Sequence, residues 1–399
     1  MSPWKIEEKI MPGFEVFGKE EQEAINELFR LNGGILFAHA FDGLRKGVYR
    51  VREFEAAFAR RLGVPYAQAV SSGTAALKVG LKAMGLKPGD EVITQSFTFV
   101  ATVEAILDVG ARPVIVDVDE TLNMCPQSLE EAITPRTRAI IPVHMLGVPA
   151  AMDEIMAVAR KQSLLVLEDN AQGVGGTYKG KNLGTIGEVG AFSFDFGKAM
   201  VTGEGGMVVS HREDFYLRAR AAHDHGHEYN KALPRGQEGA LLTGFNYRMS
   251  ELQGAIGLVQ LQKLDMIIKR QRENKKALKE RLQTLPVKFR ELPDPAGDCG
   301  DTLVFFLNSR EQAATFARKM GEAGLGTKNL PDAIRWHFAR HWQHMFTEYG
   351  FYQDTFATEW QKSADLLERS IALPIMVKMT PEQIADQAEK LTRIAQDVL

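Results

Sequence analysis

Two cysteines, Cys125 and Cys299, are all that 399 residues contain, and they stand far apart without CxxC or Cys/His spacing. A disulfide framework or a cysteine zinc site has nothing to build on, and reduced thiols in the cytoplasm are expected. Long apolar runs are missing as well: no stretch approaches the ~18 residues that a membrane span needs. The opening Met1-Ser-Pro-Trp-Lys-Ile-Glu-Glu-Lys9 is charged and lacks the apolar core of a signal peptide. Neither sign of charge dominates, since 48 Lys and Arg face 51 Asp and Glu for a net charge of -3. A nucleic-acid binder would gather its basic residues on one face. The densest basic run, Lys269-Arg-Gln-Arg-Glu-Asn-Lys-Lys276, is broken by a glutamate and lies in a helical pattern, as a solvated helix face does. Repeats and low-complexity tracts are also absent, so no nucleic acid, no membrane and no solenoid is implied.

What is present reads as an α/β protein. Residues 20–30 and 50–62 carry apolar positions three and four apart, the mark of amphipathic helices. From Tyr66 onward short apolar strands alternate with helical stretches: 67–70, 91–94, 112–117, 139–144 and 164–167, with helices to about 85, near 99–109 and over 152–161. That βαβ rhythm predicts a mainly parallel sheet covered by helices, with ligands at the carboxyl ends of its strands, where Ser71, Phe99, His144 and Asp169 fall. Met249 to about Leu285 reads as one long helix or a helix pair, followed by the turn-rich Glu291-Leu-Pro-Asp-Pro-Ala-Gly-Asp298 and a strand at 302–307. The expected division is a large domain over 1–250 and a smaller α+β domain over 251–399.

Three segments carry chemistry. Val70-Ser-Ser-Gly73-Thr74 is a strand ending in a small-residue turn that opens a helix, which makes an anion site of free backbone N–H groups. A serine N-cap on a core helix has the same appearance. Asp169 ends the apolar strand Leu164-Leu-Val-Leu-Glu-Asp169. Strand-end aspartates commonly cap the next helix, but such a carboxylate can also pair with a cationic ring nitrogen. Lys198 follows Gly190-Ala-Phe-Ser-Phe-Asp-Phe-Gly197 and leads into Gly203-Glu-Gly-Gly206. A loop lysine is the plain reading. The alternative is the pair that a pyridoxal phosphate enzyme needs: a lysine for the cofactor aldehyde and a carboxylate for the pyridine nitrogen. The glycines around Lys198 lack P-loop spacing, which argues against an ATPase.

Read in order, Ser72-Gly-Thr-Ala-Ala-Leu77, Ser96-Phe-Thr-Phe-Val-Ala-Thr102, Val143-His-Met-Leu-Gly147, Glu168-Asp-Asn-Ala-Gln172, Ser193-Phe-Asp-Phe-Gly-Lys198, Gly203-Glu-Gly-Gly206, His225-Gly226 and Gly244-Phe-Asn-Tyr-Arg-Met-Ser-Glu-Leu-Gln253 resemble the DegT/DnrJ/EryC1/StrS family of sugar aminotransferases. The resemblance implies a fold-type I pyridoxal 5'-phosphate-dependent transferase, a homodimer with shared active sites, and L-glutamate as amine donor to a keto or aldehyde sugar. Carried over by position, Lys198 would hold the cofactor aldehyde, Asp169 would pair with its ring nitrogen, Phe99 would stack on the ring and Gln172 would meet the phenolic oxygen. Gly73, Thr74 and Ser193 would hold the phosphate, with Asn246 reaching the neighbouring subunit's phosphate and His225 bordering the pocket. Relatives that remove a sugar hydroxyl carry histidine in place of the lysine. Lys198 is intact, so amine transfer is expected, although a lyase reaction on the same scaffold stays open.

Two stretches depart from the family pattern. Leu330-Pro-Asp-Ala-Ile-Arg-Trp336-His337-Phe-Ala-Arg340-His341-Trp342-Gln343-His344 replaces the usual small-domain stretch, and Met11-Pro-Gly-Phe-Glu-Val-Phe-Gly18 is unusual too. Both resemble members that aminate an acidic octulosonate at C8 for lipopolysaccharide, which would place Arg335 and His337 at the substrate, with Arg45, Arg50 and Arg340 as further partners for its carboxylate. The alternatives are a dTDP-, UDP- or GDP-linked keto sugar and a regulator that binds the cofactor without turnover. A regulator would need an appended partner-binding segment, and none is seen. The alternating His223, His225 and His227 would share a face on a strand and suggest a metal, but the family places a pocket loop there, and no metal is expected.

Overall fold

The computed structural model describes residues 13–399 except 231, 235 and 352. The expectations for Met1–Lys9, Met11 and Pro12 therefore lie outside the described residues. β1 (Tyr66–Val70), β2 (Glu91–Gln95), β3 (Arg112–Val116), β4 (Thr137–Ile141) and β5 (Leu165–Asp169) come first, then the small hairpin β6 (Thr177–Tyr178) and β7 (Lys181–Asn182). β8 (Val189–Ser193), β9 (Gly206–Ser210), β10 (Lys288–Phe289), β11 (Thr302–Phe306) and β12 (Ser370–Pro374) complete the set. Seven strands form the main sheet in the order β1-β9-β8-β5-β4-β2-β3. β3, β2, β4, β5 and β8 pair in parallel, which is the mainly parallel sheet that the βαβ rhythm predicts. β2, β8 and β9 are buried along their whole length, so none shows the apolar–polar alternation of a half-exposed strand; β8 and β9 are apolar or small up to their final serines, while β2 also buries Glu91, Thr94 and Gln95.

β9 runs against both its neighbours. The reason is local: β8 reaches β9 through residues 194–205, which contain no helix, and a parallel return would need a crossover. That loop carries Lys198. Its take-off is pinned by aromatic packing against α2 (Arg50–Leu62), with Phe58 at 5.0 Å from Phe192 and Phe54 at 5.4 Å from Phe194. Since Phe192 and Phe194 both face α2, alternation along the strand turns Ser193 to the opposite side. There it meets Gly73 at the start of α3 (Gly73–Met84), where a Cβ on the glycine would stand 2.6 Å from the Ser193 Cβ.

The remaining elements frame this sheet. α1 (Lys19–Asn32) precedes α2, and α4 (Ala101–Asp108), α5 (Pro126–Glu131), α6 (Met152–Gln162) and α7 (Glu213–Ala222) follow α3 in the chain. Glu251–Leu282 is one unbroken helix, α8, opened by a capping box in which Ser250 and Gln253 cap each other. α8 packs on α1, α2 and the closing helix Pro381–Val398. β10, β11 and β12 form a second, antiparallel sheet. Leu303, Phe305 and Leu373 of this sheet share an apolar cluster with Phe316 and Leu391 of the helices beside it.

Candidate active site

β5 ends in two buried acids that point to opposite faces, as neighbours on a strand do. Glu168 is saturated: it accepts from Gly184 N–H at 2.9 Å, Ile186 N–H at 2.6 Å, Gly187 N–H at 2.7 Å and His144 Nε2 at 2.9 Å. The Ala150 N–H donates to His144 Nδ1, so Nε2 carries the proton that goes to Glu168. Asp169 has less. Thr102 Oγ1, at the start of α4, donates to one oxygen at 2.7 Å, and Ala171 N–H donates to the other at 3.1 Å. Burial pushes the Asp169 carboxyl above its ordinary range, against these two bonds and the positive charge of Lys198.

Lys198 keeps 18% of its side chain exposed, with Nζ at 3.5 Å from Asp195 Oδ2. Its backbone is fixed twice. Lys198 N–H donates to Asp195 O at 3.1 Å, and Lys198 O accepts from Gly13 N–H at 3.2 Å. Gly13 must be glycine for that approach, because a Cβ there would fall 2.4 Å from Lys198 O. The turn at the head of α3 completes the arrangement. Ser72 Oγ caps Ala75 N–H at 3.1 Å, while the N–H groups of Gly73 and Thr74 precede any acceptor within the helix. Ser193 stands beside them. A buried carboxylate short of donors, a lysine one strand away and an anion-binding turn suit a ligand with a cationic ring nitrogen, an aldehyde and a phosphate.

Other candidate residues fall at varied distances from this centre. Phe99 is 43% exposed although it sits among buried neighbours, and the His337 ring lies 5.4 Å from it. The segment around His337 is fastened there by Thr98 N–H to His337 O at 3.0 Å and Val100 N–H to Trp336 O at 2.9 Å. Burial, with the Lys198 charge adding to it, holds the His337 imidazole down to about 4, so it is neutral at working pH. Its Nδ1 donates to Ala333 O at 2.8 Å, which leaves Nε2 as an acceptor. Gln172 Oε1 accepts from Leu146 N–H at 3.1 Å, leaving the amide NH2 to donate. Arg335 is exposed.

His225 and Asn246 are exposed on adjoining loops, joined by an antiparallel bridge between Asp224 and Asn246. The three alternating histidines are not on a strand. His223 ends α7, His225 has a φ of 55°, and His227 pairs with Glu238 at 2.8 Å, so the shared face assumed for them does not exist. Arg45 is also placed otherwise than a substrate partner would be. It is fully buried, donates to Phe37 O at 2.6 Å and stacks at 4.0 Å over the Tyr49 ring. Arg50 pairs with Glu27 and Glu53, and Arg340 donates to Gln361 at 3.0 Å. Sequence reasoning missed the work of Thr102, which lay inside a quoted motif one helical turn from Thr98, its partner at 2.7 Å. It also missed Glu168, whose opposite orientation strand alternation would have revealed.

Residues 42–392 match the model of the DegT/DnrJ/EryC1/StrS aminotransferase family. The spore coat polysaccharide biosynthesis protein SpsC of Bacillus subtilis is 34% identical over 388 residues, covering 95% of each chain. GDP-perosamine synthase of Caulobacter vibrioides is 45% identical over 216 residues, a stretch that covers 53% of this chain and 56% of that protein. Among solved structures, an aminotransferase from Psychrobacter cryohalolentis superposes with a TM-score of 0.82 at 27% identity, covering 96% of this chain and 98% of that one. The chain therefore belongs to the DegT/DnrJ/EryC1/StrS aminotransferase family, whose members are pyridoxal phosphate-dependent sugar aminotransferases.

Proposed function

We propose that this aminotransferase moves the amine of L-glutamate onto the carbonyl of a nucleotide-linked keto sugar. The observation that carries the reading is the pair at the sheet's carboxyl edge: a buried carboxylate with two donors, Asp169, that feels the charge of Lys198. The residues fit pyridoxal phosphate, which when bound supplies an electron sink for breaking and making bonds at the amine-bearing carbon. Asp169 would keep a proton on the ring nitrogen, and Thr102 Oγ1 and Ala171 N–H hold Asp169 in place. Gly73, Thr74 and Ser193 would take the phosphate, Phe99 would stack on the ring, and the Gln172 amide would donate to the phenolic oxygen. Lys198 would hold the aldehyde, and its amine is placed to move a proton at the reacting carbon. His337, neutral and beside Phe99, offers Nε2 as an acceptor to the sugar.

The GDP-perosamine relatives support a nucleotide-linked acceptor, and SpsC supports a role in surface polysaccharide, of which lipopolysaccharide is one kind. An octulosonate acceptor would draw on the exposed Arg335 for its carboxylate. We place the enzyme in the cytoplasm as a homodimer, with Asn246 completing the partner subunit's phosphate site and His225 at its border. No described helix is long and apolar enough to cross a membrane.

The test is a visible absorption spectrum of the purified protein before and after L-glutamate, followed by a panel of acceptors. A visible band that glutamate bleaches and a GDP-linked keto sugar restores is the expected result. A band indifferent to every amine donor would make the protein a cofactor-binding regulator, and restoration only by an 8-oxo octulosonate would replace the nucleotide-sugar reading. Shared sites are tested by mixing Lys198→Ala and Asn246→Ala subunits. If sites are shared, one of the two in each mixed dimer carries neither substitution, and activity returns.

A further inference from the structure

Beyond β9, along the outer edge of β1, a cavity of about 450 Å³ lies apart from the Lys198 site. β1 is its floor and α2 and α7 are its walls, and its lining includes Arg52, Glu55, Gln68, Tyr216, Arg220 and His223. Glu55 Oε1 accepts from Ala69 N–H at 2.8 Å and from Gln68 Nε2 at 2.7 Å. Among the described residues no donor reaches Oε2 and no cation stands within ion-pair distance. Burial pushes this carboxyl up to about 7, against the Ala69 N–H bond and the charges of Arg220 and Arg52, neither of which pairs with it. His223 does not supply one. Burial holds it down to about 4, its Nδ1 is engaged with Arg220 O, and its Nε2 lies 3.2 Å from the Gln68 amide.

The cations in the cavity have the complementary deficit. Arg52 stacks at 3.9 Å over the Tyr49 ring and Arg220 at 4.0 Å over the Tyr229 ring. Stacking occupies the face of a guanidinium and leaves its N–H edge to bind a planar anion. Neither arginine forms an ion pair among the described residues. A simple amine would satisfy Glu55 and leave the arginines without an anion; a simple acid would meet Glu55 with like charge. A zwitterion satisfies both without bringing net charge into the cavity.

We propose that this cavity binds a free α-amino acid, at a site separate from the one that transfers the amine. Its ammonium group sits on Glu55 Oε2 and its carboxylate on the N–H edge of Arg220, with Arg52 closing the exposed side. The side chain lies along β1 against Tyr216. The assignment does not depend on the identity of the acceptor sugar.

The experiment is calorimetric titration of the holoenzyme with each protein amino acid, those with uncharged side chains first, repeated on Glu55→Gln and Arg220→Gln. Glu55→Gln keeps an acceptor oxygen for Ala69 N–H, and Arg52→Gln, on an exposed side chain, serves as the variant least able to disturb folding. The expected result is one amino-acid site per chain that weakens by ~10-fold or more in Glu55→Gln and Arg220→Gln, as loss of a charged hydrogen-bond partner implies. Bleaching of the cofactor band by L-glutamate should keep its rate in all three variants. Binding of no amino acid beyond the transfer site, or a second site indifferent to these substitutions, would overturn the proposal.

Discussion

Glu168 and Asp169 are neighbours in sequence and share burial, yet they serve opposite ends. Glu168, on one face of β5, accepts four hydrogen bonds and ties the 184–187 loop and His144 to the strand. Asp169, on the other face, accepts two and is pushed up by burial in the field of Lys198. A buried acid whose oxygens are filled has finished its work within the fold. One left short of partners at a strand end is prepared for a cation that the chain does not itself supply.

Lys198→Ala tests that contrast with the largest effect. Turnover with L-glutamate should fall by at least roughly 10²–10⁴-fold, the contribution of a positioned acid–base group, while the melting temperature stays near that of the parent. Near-normal turnover would remove the lysine from the mechanism. The two acids should then separate in opposite directions. Glu168→Gln should cost about 2–3 kcal/mol of stability by denaturant titration, since an amide cannot accept from all four donors. Asp169→Asn should leave the cofactor-free protein at least as stable as the parent and abolish turnover. Equal destabilisation by both substitutions would end the distinction.

Thr102→Val sharpens the comparison at smaller scale. Loss of one charged hydrogen bond on Asp169 should weaken cofactor retention by ~10-fold, read by dialysis and the visible band, with little change in folding. The smallest effect concerns pH. Glu251, at the head of α8, is pushed by burial up to about 7, opposed by Arg45 and by the backbone N–H groups of Arg50 and Val51. Its folded value exceeds its unfolded one, so its contribution is fully present below the unfolded value and is lost as pH rises through about 7. Asp169 has the same sign. Melting temperatures of the cofactor-free protein should therefore decline over this window, and Glu251→Gln should flatten the decline.

The sequence by itself determined the parallel sheet, because apolar strands alternating with helices leave few other ways to bury both. It also marked the small-residue turn before α3 and the strand end at Asp169, since these depend on local chemistry and period. Whether α8 was one helix or two was open, because its capping box at Ser250 is legible but its support by α1, α2 and the closing helix is not. Only the tertiary structure decided how Asp169 is held. Thr102 lies 67 positions away in the chain and reaches it because α4 begins where β5 ends. The histidine trio failed for the same reason: alternation has meaning on a strand, and packing made that segment a helix end and a turn. Partners distant in sequence, and the desolvation they impose, are properties of the folded chain, and they separate an acid whose oxygens are filled from one left short of donors.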